Sequence, residues 1–258
     1  MTGATSGEVL LRMEGASIAF GEVEVLKDLH LEVRHGEFVA LVGPSGCGKT
    51  TLLNLASGWL RPGSGTVQRP DRMRMIFQQD GLFPWRTVGE NVRMGLRHVE
   101  DELERGRRAA ALLDLVALSR FEGHYPHQLS GGMRQRVELV RALAGDTDLL
   151  LMDEPFSSLD YLTRLRMRNE LARLLREQPR TVLLVTHDIE EAAQLADRVL
   201  MLSDRPARIR DEVRLSVPRP RAATHPAVVG AVHHILTELG LESDSETVAA
   251  PGGPEEVP

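Results

Sequence analysis

The stretch Gly43-Pro-Ser-Gly-Cys-Gly-Lys-Thr50 decides the fold class of this chain of 258 residues. It has the spacing G-x-x-x-x-G-K-[ST], and it lies between a β-favouring run at residues 37–42 and a leucine-rich helical pattern at residues 50–56. Glycines allow the backbone to turn tightly and to aim N–H groups at an anion, which the amino end of a helix also favours. In this context the pattern predicts a phosphate-binding loop, with Lys49 on the β- and γ-phosphates and the Thr50 hydroxyl on Mg²⁺.

Strand patterns on both sides of the loop indicate one α/β core. Residues 17–20 and 29–33 favour β-strands and make the beginning of the chain β-rich. Further strands are predicted at residues 149–152 and 181–185, each followed by a helical pattern. Because this alternation is typical of a parallel sheet, the two β-rich parts are expected to belong to a single core.

Between about residues 88 and 145 the pattern changes to apolar residues at helical spacing. Helices are predicted there at residues 100–118 and 132–143, and we interpret the stretch as a helical subdomain inserted into a single domain of residues 1–242. A short helix is predicted at residues 228–241. Residues 243–258 are expected to form a disordered tail.

The composition restricts the classes of function. The chain is 42% hydrophobic and 26% charged, as in soluble globular proteins, and its apolar runs are far shorter than the roughly 20 residues of a membrane-spanning helix. The N-terminus has no basic stretch followed by an apolar segment, which predicts a cytoplasmic location. The single cysteine, Cys47, agrees because it cannot form an internal disulfide. A net charge of −6 argues against nucleic-acid binding.

Two carboxylates end the predicted strand Leu149-Leu-Leu-Met-Asp-Glu154. Successive strand residues point in opposite directions, so Asp153 and Glu154 are expected to have different roles. Beside a phosphate loop, Asp153 is placed to hold Mg²⁺ through its water shell, and Glu154 is placed to orient or deprotonate the water that attacks the γ-phosphate. Taken without the loop, a helix-capping or surface pair would be a serious alternative.

A second candidate anion site is the helix start Leu129-Ser-Gly-Gly-Met-Arg-Gln135. Ser130 stands at a good capping position, and the two glycines after it leave backbone N–H groups bare. The chain already has a phosphate loop, so the local chemistry by itself favours an ordinary helix cap.

Residues 10–215 resemble the ABC ATPase family. Six motifs, including the segment at residues 129–135, occur in the same order as in that family. Residues 43–50 resemble its Walker A, Gln78 its Q-loop glutamine, residues 129–135 its LSGGQ signature, 149–154 its Walker B, 157–160 its D-loop and His187 its switch histidine. The implied fold is α/β, a P-loop NTPase (RecA-like) core with a β-rich N-terminal subdomain and an inserted α-helical signature subdomain. Met133, Arg134 and Glu138 depart from the usual signature pattern, and Glu138 stands where alanine is usual.

The resemblance implies an ATPase that works as a head-to-tail homodimer, with ATP and Mg²⁺ held between the two chains. Phe20 would stack on adenine, and Gln78 and His187 would join Glu154 as catalytic residues. Gln78 would also hold Mg²⁺ with Thr50 and Asp153. The residues expected to bind ATP are Phe20, Gly43, Pro44, Ser45, Gly46, Cys47, Gly48, Lys49, Thr50, Thr51, Ser130, Gly131, Gly132 and Asp160.

Apolar residues after Gln78 point to a membrane partner. The segment Gln79-Asp-Gly-Leu-Phe-Pro-Trp-Arg86 places Leu82, Phe83 and Trp85 in a predicted surface loop, where large apolar side chains tend to mark contact sites. Burial within the domain is the alternative. This segment, with Ser203-Asp-Arg-Pro-Ala-Arg208 and Val217-Pro-Arg-Pro-Arg221, resembles the ATPases of nitrate, sulfonate and taurine importers.

An importer of this kind would bind the chain peripherally at the cytoplasmic face of the membrane. Its partners would be integral-membrane permease subunits and, indirectly, an extracytoplasmic solute-binding protein. The ATPases of importers for pyrimidine or thiamine precursors have the same segments, so the sequence leaves the substrate open. A soluble ABC ATPase without a membrane partner shares every core motif. The apolar loop, and the absence of a long coiled-coil insertion or a second fused cassette, favour transport.

Overall fold

The structure, a computed structural model, describes residues 7–76, 81–157, 159–177 and 179–241. In chain order its strands are β1 (Val9–Phe20), β2 (Val23–Arg34), β3 (Phe38–Val42), β4 (Ser64–Gln68), β5 (Met73–Ile76), β6 (Leu149–Asp153), β7 (Thr181–Val185), β8 (Arg198–Leu202) and β9 (Ile209–Arg214). Its helices are α1 (Lys49–Ser57), α2 (Val88–Gly95), α3 (Glu102–Leu115), α4 (Gly131–Leu143), α5 (Tyr161–Glu177), α6 (Ile189–Leu195) and α7 (Pro226–Glu238).

The larger sheet has the strand order β5-β6-β7-β3-β8-β9. Its pairs are parallel except for β8 with β9, which is antiparallel. Every residue of β3, β6 and β7 is buried, as expected for central strands that are covered on both faces. The predicted parallel sheet is confirmed, and so are its strands at residues 149–152 and 181–185.

Each face of this sheet packs into a different hydrophobic cluster. Because side chains alternate along a strand, Phe38, Ala40 and Val42 of β3 face the cluster that the helices α2 to α7 contribute to. Val39 and Leu41 face the opposite cluster, which contains α1 and the antiparallel sheet. The strand that leads into the phosphate loop is therefore packed on both sides.

The antiparallel sheet has the order β2-β1-β4 and forms the β-rich beginning of the chain. β1 and β2 make a long hairpin in which Phe20 pairs with Val23 at the turn. Leu11, Met13 and Leu26 are buried from this sheet against the leucines of α1. This packing brings the hairpin to the helix that follows the phosphate loop.

Three helices, α2, α3 and α4, follow β5 along the chain and pack on one another. The apolar spacing in the sequence predicts α3 and α4, but not α2 as a separate helix. A capping box begins α2, because Thr87 accepts a hydrogen bond from the Glu90 backbone and Glu90 accepts one from the Thr87 backbone. Contacts between α4 and β5 join these helices to the edge of the larger sheet.

The last described element, α7, packs against α6 and β9, and it matches the short helix predicted at residues 228–241. Residues 243–258, the expected disordered tail, lie outside the described residues. Within the ranges that the structure describes, no helix is both long and apolar enough to cross a membrane.

Candidate active site

Three neighbouring strands of the larger sheet carry the predicted catalytic groups. β3 leads into the phosphate loop, β6 ends at Asp153, and Thr186 and His187 follow β7. In the sheet order β7 lies between β6 and β3, and all three run in parallel. Carboxyl ends of parallel strands meet at one edge of a sheet, which is where open α/β folds bind their ligands. Residues more than 140 positions apart are thereby brought together.

The phosphate loop follows a path that requires glycine at Gly48. This residue has a φ of 123°, and a Cβ atom there would lie 2.8 Å from Cδ2 of Leu26 and 2.9 Å from Cγ1 of Val25. Gly48 also stands immediately before the first turn of α1, with no side chain to cap the helix. The first backbone N–H groups of α1 are thus open to an anion.

A groove of about 310 Å³ lies over this loop, within the range of small-ligand sites. Among the predicted residues it is lined by Ser45, Gly46, Gly48, Lys49, Thr50, Thr51 and Glu154. The Cys47 side chain is buried in the hydrophobic cluster around α1 instead, and burial raises the pKa of its thiol. Cys47 can therefore offer the groove its backbone, but not a reactive sulfur.

The Lys49 side chain crosses the loop. Its Nζ donates hydrogen bonds of 2.8 Å to the carbonyl oxygens of Gly43 and Pro44, and the residue is buried. These bonds hold one positive charge at the base of the groove, where a phosphate would be in contact with it.

Asp153 and Thr50 meet across the strand ends. The Thr50 hydroxyl lies close enough to the Asp153 carboxylate to act on its charge. Burial raises the pKa of Asp153 above its usual value, and the polar interaction with Thr50 opposes the shift. The two side chains offer the hard oxygen ligands that Mg²⁺ prefers.

Glu154 and His187 form the second contact between strand ends. Nδ1 of His187 lies 3.2 Å from Oε1 of Glu154. Glu154 has a φ of 48°, unusual for a residue with a side chain, and its backbone N–H donates to the Val185 carbonyl oxygen at 2.9 Å. Strained backbone of this kind clusters at functional sites. Here it turns the carboxylate out of β6 toward the groove, which Glu154 lines.

Of two further residues near the phosphate loop, Arg205 lines the groove, whereas Phe20 is not among its described lining residues. Phe20 is 50% exposed at the end of the β1–β2 hairpin, and it pairs with Val23, about 7 Å along β2 from the Val25 that contacts the phosphate loop. On the other side, Arg205 lines the groove beside Gly46. Arg205 is not among the residues predicted from the sequence to bind ATP, although it lies in the segment Ser203–Arg208 that resembles importer ATPases.

Other predicted site residues lie elsewhere. Ser130 caps α4, since its hydroxyl accepts a hydrogen bond of 3.3 Å from the Met133 backbone. Within the described part of the chain, Ser130, Gly131 and Gly132 do not line the groove. Asp160 accepts a hydrogen bond from the Thr163 backbone in the first turn of α5, and hydrogen bonding to Thr163 lowers its pKa. Gln78 lies outside the described residues.

A second groove, of about 480 Å³, lies between β5 and the helices α2 and α4. Phe83 lines it and stacks at an angle on Trp85, with 5.6 Å between the ring centroids. Trp85 is 69% exposed, as the predicted surface loop requires, whereas Leu82 is buried in the core. The prediction is therefore correct for Trp85 and wrong for Leu82.

Glu138, the departure from the usual signature pattern, is also part of this second groove. Its side chain is buried, accepts a hydrogen bond of 3.0 Å from the Gly81 backbone and lies 3.7 Å from Arg141. It thus ties α4 to the chain that follows Gln78.

Comparison with known proteins gives a family match over residues 26–157, to the model described as ABC transporter. The chain is 46% identical over 217 residues to the aliphatic sulfonates import ATP-binding protein SsuB 1 of Rhodococcus jostii (strain RHA1), covering 82% of this chain and 85% of that protein. It is 44% identical to the taurine import ATP-binding protein TauB of Pelagibacter ubique (strain HTCC1062), covering 75% and 76%. The nitrate import ATP-binding protein NrtC of Synechococcus elongatus (strain ATCC 33912 / PCC 7942 / FACHB-805) is 44% identical over 78% of this chain and 32% of its own length.

Among solved structures, a similar fold is found in a dimeric ATP-binding cassette in a post-hydrolysis state with ADP and Pi. The TM-score is 0.69 at 32% identity, with 81% of this chain and all of that chain covered.

Proposed function

The chain belongs to the ABC transporter family of ATP-binding proteins, and on that premise we propose that it powers the import of a small oxyanion through a separate membrane permease. Its catalytic activity is the hydrolysis of ATP to ADP and phosphate. The observation that carries the proposal is the single edge of the larger sheet on which the phosphate loop, the neighbouring Asp153 and Thr50, and the Glu154–His187 contact meet.

We assign ATP to the groove over the phosphate loop. The backbone N–H groups at the start of α1 and the Nζ of Lys49 would bind the phosphates. The exposed ring of Phe20 at the hairpin end would stack on adenine, with the flat face that such a contact needs. Arg205, at the rim beside Gly46, would add positive charge to the same site.

The residues present fit Mg²⁺. The Thr50 hydroxyl and the Asp153 carboxylate lie near each other, and both are hard oxygen donors. They would hold the ion together with Gln78, and the bound ion would supply neutralisation of phosphate charge.

Glu154 is assigned to the attacking water. Its carboxylate would accept a proton from the water as the oxygen attacks the γ-phosphorus and the bond to ADP breaks. His187, 3.2 Å from that carboxylate, would orient it and hydrogen-bond the γ-phosphate. Because little covalent chemistry is needed, the chain contributes mainly by positioning and by charge.

The signature residues are assigned to the ATP of a second copy. Ser130, Gly131 and Gly132 start α4 with free backbone donors, yet in the described part of the chain they do not line the groove that holds the phosphate loop. A head-to-tail homodimer would place them, with Asp160, over the partner's ATP. The dimeric state of the related cassette structure supports this arrangement.

The second groove is assigned to the permease. It is lined by the half-buried Phe83, over which Arg141 is placed at 5.6 Å. The exposed ring of Trp85 contacts Phe83 from outside the lining. Large apolar side chains and arginine of this kind dominate the energetics of protein interfaces. A permease contact here would keep the chain peripheral at the cytoplasmic face, with a solute-binding protein as indirect partner.

The relatives suggest the class of solute. Their names specify aliphatic sulfonates, taurine and nitrate, which share small size and negatively charged oxygens. We propose an oxyanion of this class as the substrate. The solute-binding protein of the complex would select it, so no residue of this chain is assigned to the solute.

The proposal is tested by tagging the full chain, recovering it from detergent-solubilised membranes of its host and identifying co-purifying proteins by mass spectrometry. Recovery of a polytopic permease is expected, and the companion solute-binding protein would then be titrated with taurine, an alkanesulfonate and nitrate. Repeated recovery of soluble partners alone, with the chain absent from membranes, would replace the transporter with a soluble ABC ATPase.

Trp85→Ala is expected to lower the yield of permease at least fivefold, since it removes an exposed aromatic residue from the proposed contact, worth about 1 to 2 kcal/mol. Trp59→Ala is the matched control, because Trp59 is 84% exposed just after α1 and takes no part in the Phe83–Trp85 ring contact at this groove. ATP binding by both variants should equal the wild type. Equal recovery of permease with both variants would show that the permease docks at another surface of the chain.

A further inference from the structure

Glu191, in the first turn of α6, is a buried carboxyl group close behind the proposed catalytic pair. Only 3% of the residue is exposed, although glutamate is rarely buried without a specific partner. No motif in the sequence assigns a role to Glu191.

One oxygen of Glu191 is tied to the turn that carries His187. The Thr186 hydroxyl donates a 2.6 Å hydrogen bond to Oε2 of Glu191. The same hydroxyl accepts a 3.0 Å bond from the Asp188 backbone, and the Glu191 backbone donates to the Asp188 carboxylate at 2.9 Å. The residues immediately before and after His187 are thus both fixed to Glu191.

The other oxygen of Glu191 is buried and leaves hydrogen-bonding capacity unused in the described part of the chain. Oε1 has no hydrogen-bond partner among the residues that the structure describes. Glu191 borders a cavity of about 10 Å³ whose wall also contains Glu154, Ser157 and His187. That volume is at the lower limit for one water molecule, and the wall supplies the polar partners that an enclosed water requires.

The charges around Glu191 come from three sides. Arg168 and Arg164 of α5 both pair with Asp188, and Arg168 is itself buried. Glu154 and His187 line the same cavity as Glu191. Burial is the largest influence and raises the pKa of Glu191 to about 7, while the Thr186 hydrogen bond and the two arginines oppose that shift. The raised pKa favours the neutral carboxyl group, and since Oε2 accepts from Thr186, Oε1 is the oxygen that would carry the proton.

We propose that Glu191 is a positioning residue for ATP hydrolysis, which holds the His187 turn through Thr186 and reaches Glu154 through one water in the shared cavity. In the neutral form its Oε1–H would donate to that water, which would donate onward to the Glu154 carboxylate. This inference rests on the roles proposed above for Glu154 and His187. It adds a group that never touches ATP but sets how both residues face it.

The test compares Glu191→Gln and Glu191→Ala in the full chain, by phosphate release with MgATP between pH 6 and 8.5. Glutamine keeps an acceptor for Thr186 and a donor toward the cavity, but it cannot ionise. At pH 6.5 Glu191→Gln should keep kcat within about threefold, whereas Glu191→Ala should lower kcat about 10- to 100-fold with little change in KM, as misplaced catalytic groups do. Glu190→Gln, an exposed neighbour in the same turn, should match the wild type throughout.

The pH profile separates positioning from simple structural support. As pH rises through about 7, Glu191 ionises in the wild type and loses its donor, so the ratio of kcat for Glu191→Gln to kcat for the wild type should rise. A ratio that stays constant with pH, or a Glu191→Ala variant with wild-type kcat, overturns the inference. Glu154→Gln is measured alongside. If Glu154→Gln keeps full turnover, the proposed site fails; if it loses turnover while Glu191→Ala does not, only this inference fails.

Thermal unfolding gives an independent measure of the Glu191 proton. The pKa of Glu191 is raised by folding, so the stability linked to it is complete below the unfolded pKa of about 4.3 and is lost as pH rises toward about 7. The Tm of Glu191→Gln minus that of the wild type should therefore increase between pH 5 and pH 8, by at least about 2 °C. A difference that is independent of pH would show that Glu191 is already ionised at pH 5.

Discussion

Replacing Glu154 with glutamine is expected to lower kcat for ATP hydrolysis by about 1000-fold and to leave the affinity for ATP within about twofold of the wild type. Glutamine has the same shape as glutamate, so its carbonyl oxygen can keep the contact with His187 that the structure places at 3.2 Å. It cannot accept the proton of the attacking water. The phosphate loop and the Lys49 hydrogen bonds are unaffected, because they come from another strand end.

Phosphate release at saturating MgATP and ATP binding measured by calorimetry separate these two effects. Light scattering should also show a stable dimer when Glu154→Gln is given MgATP, since ATP that is bound but not hydrolysed keeps the two chains closed. The exposed Glu190→Gln is the control for loss of one negative charge. Full turnover by Glu154→Gln would assign the water to another base and leave the carboxylate with a positioning role only.

Replacing Lys49 with alanine is expected to weaken ATP binding by about 100-fold, as loss of a hydrogen-bonding charge from a buried site does. The Nζ of Lys49 bonds the carbonyl oxygens of Gly43 and Pro44, so the substitution also removes a bridge across the phosphate loop. The variant therefore loses the positive charge that binds phosphate and also the two hydrogen bonds that stabilise the loop conformation.

Lys27→Ala is the matched control, because Lys27 is a partly exposed lysine whose ion-pair partner is Glu24. Calorimetric titration with ATP gives Kd for both variants, and the thermal unfolding of each without nucleotide shows whether the domain is intact. Wild-type ATP affinity in a folded Lys49→Ala variant would contradict the placement of phosphate on this loop. Lys49→Arg would add a further check, since its charge is kept but its reach and shape differ.

Several parts of the fold and the site could be predicted from short stretches of sequence. Three features depend only on neighbours within a few positions. They are the strand, loop and helix around residues 43–50, the buried runs in β6 and β7, and the Ser130 cap on α4. Signals of this kind are local: side-chain periodicity, glycine where φ is positive, and a capping hydroxyl. The order of the motifs then indicated the family.

Contacts between distant residues were decided only by the tertiary structure. The sequence does not show that Nδ1 of His187 meets Oε1 of Glu154, that Arg205 stands beside Gly46, or that Leu82 is buried while Trp85 is exposed. The burial of Glu191 behind Thr186 is of the same kind, because a glutamate in the first helical turn fits a solvated face equally well. Strand order determines which loops become neighbours, and packing determines which side chains lose their water. Both depend on chain segments far apart in sequence, so local patterns could identify the reacting groups but not how they face one another.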